Sequence, residues 1–73
     1  MTYEEALAFC DRALQLDPTN AGAYANKGSA LAHLRRYAEA LAAFDRALQL
    51  DPTEALASAG KDAVLTWLNR YAQ

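Results

Sequence analysis

The sequence predicts an all-α fold, a short solenoid of antiparallel helix pairs. The segment DRALQLDPT occurs at 11–19 and again at 45–53, and the two copies lie 45 − 11 = 34 positions apart. A period of this length is typical of stacked helical repeats. Alanine provides 18 of the 73 residues, which favours helices and close packing of their backbones. A proline follows the helical part of each copy, so each helix has a predicted end.

The repetition extends beyond those nine residues. Residues 3–19 and 37–53 agree at 14 of 17 positions, and the exceptions are Glu4/Ala38, Phe9/Ala43 and Cys10/Phe44. A weaker match relates 21–37 to 55–71. We name the segments 3–19 and 37–53 B-type and the segments 21–37 and 55–71 A-type. The chain therefore contains two types of helix in the order B-A-B-A.

Local signals predict where the helices begin and end. Thr2 and Glu5 form a capping box before the first helix. Asp-Pro pairs end the first and third helices, because proline disfavours helical geometry in the residue before it. Thr19 or Asn20 can cap the second helix, and Thr53 can cap the fourth. The predicted helices are about 2–16, 20–34, 37–50 and 53–71, in one domain over 1–73 with a complete repeat at 21–54 between two half repeats.

Composition argues against several classes of function. The net charge is −2 and the basic residues are scattered, so the basic patch of a nucleic-acid-binding protein is missing. Cys10 is the only cysteine, which rules out a disulfide or a CxxC site within the chain. We expect no metal and no cofactor. The sequence has no apolar leader and no long apolar run, so we expect a soluble, cytoplasmic chain without a membrane segment.

The A-type and B-type segments resemble the tetratricopeptide repeat. Its pattern of spaced residues falls on Tyr24, Lys27-Gly28, Leu31, Ala40, Phe44 and Pro52. Tyr24 stands in place of Trp, Leu31 in place of Tyr, and Lys27 in place of Leu, which suggests less burial at Lys27. The resemblance implies a right-handed α-solenoid that binds proteins.

The residues of this pattern are expected to serve packing. Gly28 and Ala40 let the second and third helices approach, and Phe44 fills the space beside them. The structural set is Tyr24, Gly28, Leu31, Ala40, Phe44, Ala47, Pro18 and Pro52.

The first and fourth helices are expected to differ in how much of their apolar surface is covered by other helices. The fourth helix has a polar stripe through Asp62 and a wide apolar arc that includes Leu65 and Trp67, which predicts a solvated terminal cap. The first helix lacks its A-type partner, so its apolar arc, with Phe9 and Cys10, is expected to be partly uncovered.

The resemblance also implies a concave groove formed by the A-type helices. The candidate partner-binding residues are Gly22, Ala25, Asn26, Ser29, His33, Leu56, Ala59, Ala63 and Trp67. Some members of the resembled family bind a chaperone's C-terminal carboxylate. Here only Asn26 matches the clamp that they use, so this activity is not expected.

Three of these residues have a second interpretation. Asn26 can instead form a hydrogen bond between helices, His33 can be a solvated helix end, and Trp67 can pack at the edge of the cap. Cys10 and His33 are the one nucleophile-base pair available and belong to different repeat elements, so we do not expect an enzyme.

The sequence is consistent with two alternative functions. The first is a protein-protein interaction module that binds an apolar peptide or helix in its groove. The second is a self-associating structural scaffold, in which another copy completes the N-terminal repeat through the first or the fourth helix. Stable helical arrays usually need about three repeats and this chain contains about two, which favours the second function to some degree.

Overall fold

The computed structural model describes residues 1–71 and contains four α-helices. They are α1 (Tyr3–Leu16), α2 (Ala21–His33), α3 (Tyr37–Leu50) and α4 (Ala55–Tyr71). Each helix packs against the next, and α2 also packs against α4. The fold is therefore the all-α solenoid of helix pairs that the sequence predicts.

The helix starts depend on side-chain caps. The Thr2 hydroxyl accepts a hydrogen bond from the Glu5 N–H at 3.1 Å, and the Glu5 carboxylate accepts one from the Thr2 N–H at 3.2 Å. The predicted capping box is thus confirmed. Asn20 caps α2 by accepting from the N–H of Ala23 at 3.0 Å.

The two Asp-Pro-Thr loops have the same hydrogen bonds. The Asp17 carboxylate accepts from the N–H of Thr19 at 3.0 Å and from its hydroxyl at 2.7 Å. Asp51 and Thr53 repeat both contacts at the same distances. The prediction that Thr53 caps the fourth helix is therefore wrong, because its hydroxyl is bonded to Asp51 and α4 begins at Ala55.

The turn from α2 to α3 requires a left-handed residue. Arg35 has a φ of 61°, and its N–H donates to the carbonyl of Ala32 at 3.0 Å. The N–H of Arg36 donates to the carbonyl of Leu31 at 2.9 Å. This pair of bonds is the Schellman arrangement, in which glycine is the usual left-handed residue.

The core is centred on Phe44. Phe44 and Leu31 are the largest fully buried side chains. Buried alanines of α2, α3 and α4 surround them, together with half-buried leucines that include Leu7 of α1. A Cβ on Gly28 would lie 2.6 Å from the Phe44 ring, and a Cβ on Gly60 would also come closer than real contacts allow. The ring therefore lies between the backbones of α2 and α4, which pack against it because both positions are glycine.

The outer side of α4 is only partly as expected. The polar stripe of Ser58, Asp62, Thr66 and Asn69 is exposed. The apolar arc is not one buried face, however, because Val64 is buried while Leu56, Leu65, Trp67 and Tyr71 are exposed. Leu65 is 44% exposed, whereas its counterpart Leu31, which faces α3, is 1% exposed. The difference arises because α4 is the last helix among the described residues and has no B-type helix over this face.

Candidate functional site

The structure separates the predicted groove residues into groups. Ala25 is fully buried at 0% exposure, so the prediction that it contacts a partner is wrong. Its side chain belongs to the core cluster that contains Phe44. The helical spacing that places Ala25 beside Ser29 does not reveal that other helices pack over one of them.

The first surface, which we name the α2–α4 depression, lies between the ends of these helices. It has a volume of about 190 Å³ and is lined by Ala32, His33, Tyr37, Ala63, Val64 and Trp67. Three of the predicted residues, His33, Ala63 and Trp67, therefore meet here. Gly22, Leu56 and Ala59 lie away from its lining, with Leu56 and Ala59 exposed along α4.

Trp67 is held by aromatic contacts. Its ring stacks on Tyr37, with centroids 4.5 Å apart and planes 27° apart, and Tyr71 lies 5.3 Å from it in a tilted arrangement. The side chain remains 39% exposed. A large aromatic surface is therefore presented to solvent in a defined orientation.

The same stacking occurs one repeat earlier. His33 stacks on Tyr3 with centroids 4.3 Å apart and planes 14° apart, and its Nδ1 donates to the carbonyl of Ser29 at 2.8 Å. Because 3 + 34 = 37 and 33 + 34 = 67, the two stacked pairs are repeat-equivalent. The 34-residue alignment contained this signal, but the sequence interpretation treated His33 and Trp67 separately and missed it.

A second and larger surface, which we name the α1–α2 groove, lies at the face of α1 that the sequence predicts to be partly uncovered, although it was not predicted to be a groove. Its volume is about 390 Å³, and its lining includes Tyr3, Ala6, Phe9 and Cys10 of α1 with Asn26 and Ser29 of α2. Phe9 is 59% exposed. Asn26 and Ser29, predicted for the other groove, thus lie here.

Ion pairs lie at the interface of each B-type and A-type helix. Lys27 Nζ is 2.8 Å from Asp11 Oδ1, and Lys61 Nζ is 2.6 Å from Asp45 Oδ1. These pairs were not predicted from the sequence. Lys27, which departs from the family pattern, is thus paired with Asp11 on the preceding helix.

The surfaces contain little reactive chemistry. Burial raises the pKa of the Cys10 thiol, and the negative charge of Asp11 raises it further. A protonated thiol is a poor nucleophile. Within residues 1–71, no cluster of three or more His, Cys, Asp or Glu side chains could hold a metal ion.

The repeated helix pairs agree with a known family. The family model for the tetratricopeptide repeat matches residues 2–64. The chain belongs to the tetratricopeptide repeat family. Tetratricopeptide repeats generally mediate protein-protein interactions and are typically not catalytic.

The family match covers α1 to α3 and the first half of α4, so Trp67 lies beyond the matched residues of this tetratricopeptide repeat chain. Among curated proteins, no sequence matches the chain. None of the helices in residues 1–71 combines the length and apolar character that crossing a bilayer requires.

Proposed function

We propose that the chain is a protein-protein interaction module that holds an apolar peptide or helix against the α2–α4 depression. The observation that carries this proposal is the exposed ring of Trp67, stacked on Tyr37 beside the small side chain of Ala63. Tryptophan is enriched among the residues that dominate binding energy, because it buries a large area at a low cost in conformational entropy.

The surface around Trp67 suits an apolar ligand. Ala63, Ala59 and Leu56 precede Trp67 along α4 at successive spacings of four, four and three residues, so they share one face of the helix. All four are exposed. A partner lying along this face would cover a continuous apolar stripe that begins at Leu56 and ends at the stacked aromatic rings.

The ligand can be found by selecting peptides from a displayed random library against the domain. Because Trp67 is the only tryptophan, its fluorescence reports directly on binding at this surface. We expect selected peptides to change the Trp67 emission. Replacing Ala63→Glu places a charge on the apolar face and should weaken binding by about tenfold or more.

The loss of peptide affinity should occur only for substitutions on the face of α4 that carries Trp67. Trp67→Ala, measured with a labelled peptide, should also weaken binding by about tenfold or more. Leu65→Ala is the matched control, because Leu65 is an exposed apolar residue on another face of α4. It should leave the affinity unchanged. Equal affinity of the wild type and both site variants would remove this assignment.

A second candidate function is self-association through the end helices. Phe9 on α1 and Leu65 on α4 are exposed, whereas their repeat counterparts Ala43 and Leu31 are buried. Exposed apolar faces of this kind promote contacts between copies. Light scattering after gel filtration across a concentration series tests the idea, and a monomer at every concentration that melts cooperatively would refute it.

A further inference from the structure

We propose that the α1–α2 groove accepts an amphipathic α-helix from outside residues 1–71, and that this helix places a large apolar side chain against Cys10. The α1–α2 groove is separate from the α2–α4 depression around Trp67. The inference therefore goes beyond the proposed function and can fail independently of it.

The internal repeat indicates that the occupant is a helix. The lining residues Ala6, Phe9 and Cys10 correspond to Ala40, Ala43 and Phe44 of α3 after a shift of 34 positions. Those three counterparts are buried in the core, where α2 packs against both α3 and α4. In this fold, a groove between a B-type and an A-type helix is therefore filled by a preceding A-type helix.

The groove differs from its counterpart in the size of two facing residues and of Phe9, which stands in place of Ala43. On the filled side, the large ring of Phe44 faces Gly60, where a Cβ would lie 2.7 Å from one ring carbon. On the open side, the smaller Cys10 stands in place of Phe44, and the larger Asn26 stands in place of Gly60. The large side chain at this position is therefore on the B-type helix of the filled groove and on the A-type helix of the open one, while Phe9 in place of Ala43 adds a ring one residue earlier on α1.

This exchange determines what the incoming helix must carry. In α2, the residue that faces the Phe44 ring is Gly28, and any side chain there would collide with the ring. Opposite Cys10 the ring is missing, so glycine at that position would leave a cavity. A large apolar residue would fill it, and burying such a side chain is favourable.

Charge points to a basic residue beside that apolar one. On the filled side, Lys27 and Glu39 line the same depression between α2 and α3. The hydrogen bond from Arg36 lowers the pKa of Glu39, and the nearby charge of Lys27 also lowers it. The α1 counterpart of Glu39 is Glu5, since 5 + 34 = 39. A lysine directly before the large apolar residue would lie near Glu5 as Lys27 lies near Glu39.

The helices of a second copy fit this groove poorly, whatever other contacts the end helices make between copies. Its α2 is packed against three other helices of its own molecule. Its α4 carries Asp62 at the position of Gly28, since 28 + 34 = 62. Burying that carboxylate against the Cys10 thiol would be unfavourable. The occupant is therefore a helix of different sequence.

The chain's own second helix provides the probe. Three labelled peptides cover residues 20–36 and carry Gly28, Gly28→Ala or Gly28→Leu. Alanine and leucine have similar helix propensities, so this pair isolates the size of the side chain. Fluorescence anisotropy should show that the Gly28→Leu peptide binds the wild-type domain about tenfold more tightly than the Gly28→Ala peptide.

A reciprocal variant should reverse the preference. Phe9→Ala, Cys10→Phe and Asn26→Gly together give the α1–α2 groove the residues of its filled counterpart. This triple variant should bind the Gly28 peptide best and reject Gly28→Leu, because the new ring would occupy the same space. Circular dichroism and a cooperative thermal melt establish independently whether the triple variant is folded. Leu16→Ala on α1 and Trp67→Ala on α4 should leave all three affinities unchanged.

Several outcomes would overturn the proposal. They are no binding of any peptide to the wild-type domain, equal affinities for Gly28→Ala and Gly28→Leu, and the same order of affinities in the folded triple variant. Dissociation of a domain dimer by the Gly28→Leu peptide would assign the groove to a second copy. A loss of binding in Trp67→Ala would place the peptides at the α2–α4 depression instead.

Discussion

Lys61 on α4 lies 2.6 Å from the carboxylate of Asp45 on α3, and Lys27 makes the equivalent ion pair with Asp11 at 2.8 Å. Each pair joins a B-type helix to the A-type helix that follows it. The side chains are about one-third to one-half exposed, so water screens the attraction. We therefore expect the pairs to contribute little to stability.

We expect Lys27→Ala to lower the free energy of unfolding by less than about 1 kcal/mol, as is usual for exposed ion pairs. A double-mutant cycle with Asp11→Ala, measured by urea denaturation, isolates the pair. Its coupling energy should decrease at high salt. A coupling that salt does not change would mean that the pair acts through packing.

The close contact between Gly60 and the Phe44 ring predicts a strong effect of a single methyl group. Gly60→Ala should destabilise the fold by about 1–3 kcal/mol, because either the ring or α4 must move. Chemical denaturation measures the change. Adding Phe44→Leu should recover part of the loss, since a smaller side chain relieves the overlap.

Gly22 provides the control for that substitution. A Cβ there would meet only Asn20 Oδ1, at 3.4 Å, which is an ordinary contact. Gly22→Ala should be neutral or stabilise the fold by up to about 1 kcal/mol through helix propensity. Equal destabilisation by Gly22→Ala and Gly60→Ala would contradict the role assigned to the Phe44 ring.

Arg35 is strained at the turn between α2 and α3. Its φ of 61° lies in the left-handed region, where a side chain costs about 1–2 kcal/mol. Arg35→Gly removes this cost, so we expect the melting temperature to rise and the stability to increase by about 0.5–1 kcal/mol. Arg12→Gly, within α1, should instead destabilise by about 1 kcal/mol. A loss of stability in Arg35→Gly would show that the arginine side chain is needed.

The Asp-Pro-Thr loops predict that the stability of the fold decreases at acidic pH. Hydrogen bonds from the hydroxyl and then the N–H of Thr19 lower the pKa of Asp17, and Thr53 does the same for Asp51. The fold thus favours the ionised carboxylates. Their contribution is present above the ordinary aspartate pKa of about 3.9 and is lost as the pH falls through the lowered folded-state pKa.

Thermal melts across this acidic range test the prediction. The variant Thr19→Val/Thr53→Val lacks both hydroxyl donors, so its melting temperature should fall less steeply with acid than that of the wild type. The prediction would be contradicted if the wild type and the variant lost stability in parallel, because other carboxylates would then dominate the acid dependence of stability. The variant Thr2→Val is a control, because it removes a hydroxyl from a cap without changing either loop.

The helix starts and stops could be predicted from short segments. Thr2 and Glu5 are three residues apart, and Asp17 is bonded to Thr19, so both contacts form within one turn of chain. The error at Thr53 is also local, because its hydroxyl is bonded to Asp51 and not to the helix. The candidate site was harder to predict. The burial of Ala25 and the opening of the α1–α2 groove depend on which helices lie over each face.

By itself, the sequence determined the 34-residue repeat, the four helices and the family, because these follow from local capping, proline stops and the spacing of residues along one chain. Only the tertiary structure decided that Gly60 faces Phe44, that Lys27 pairs with Asp11, and that Trp67 stacks on Tyr37. These contacts join residues at least 16 positions apart, and they form only once the helix crossings bring distant backbones together.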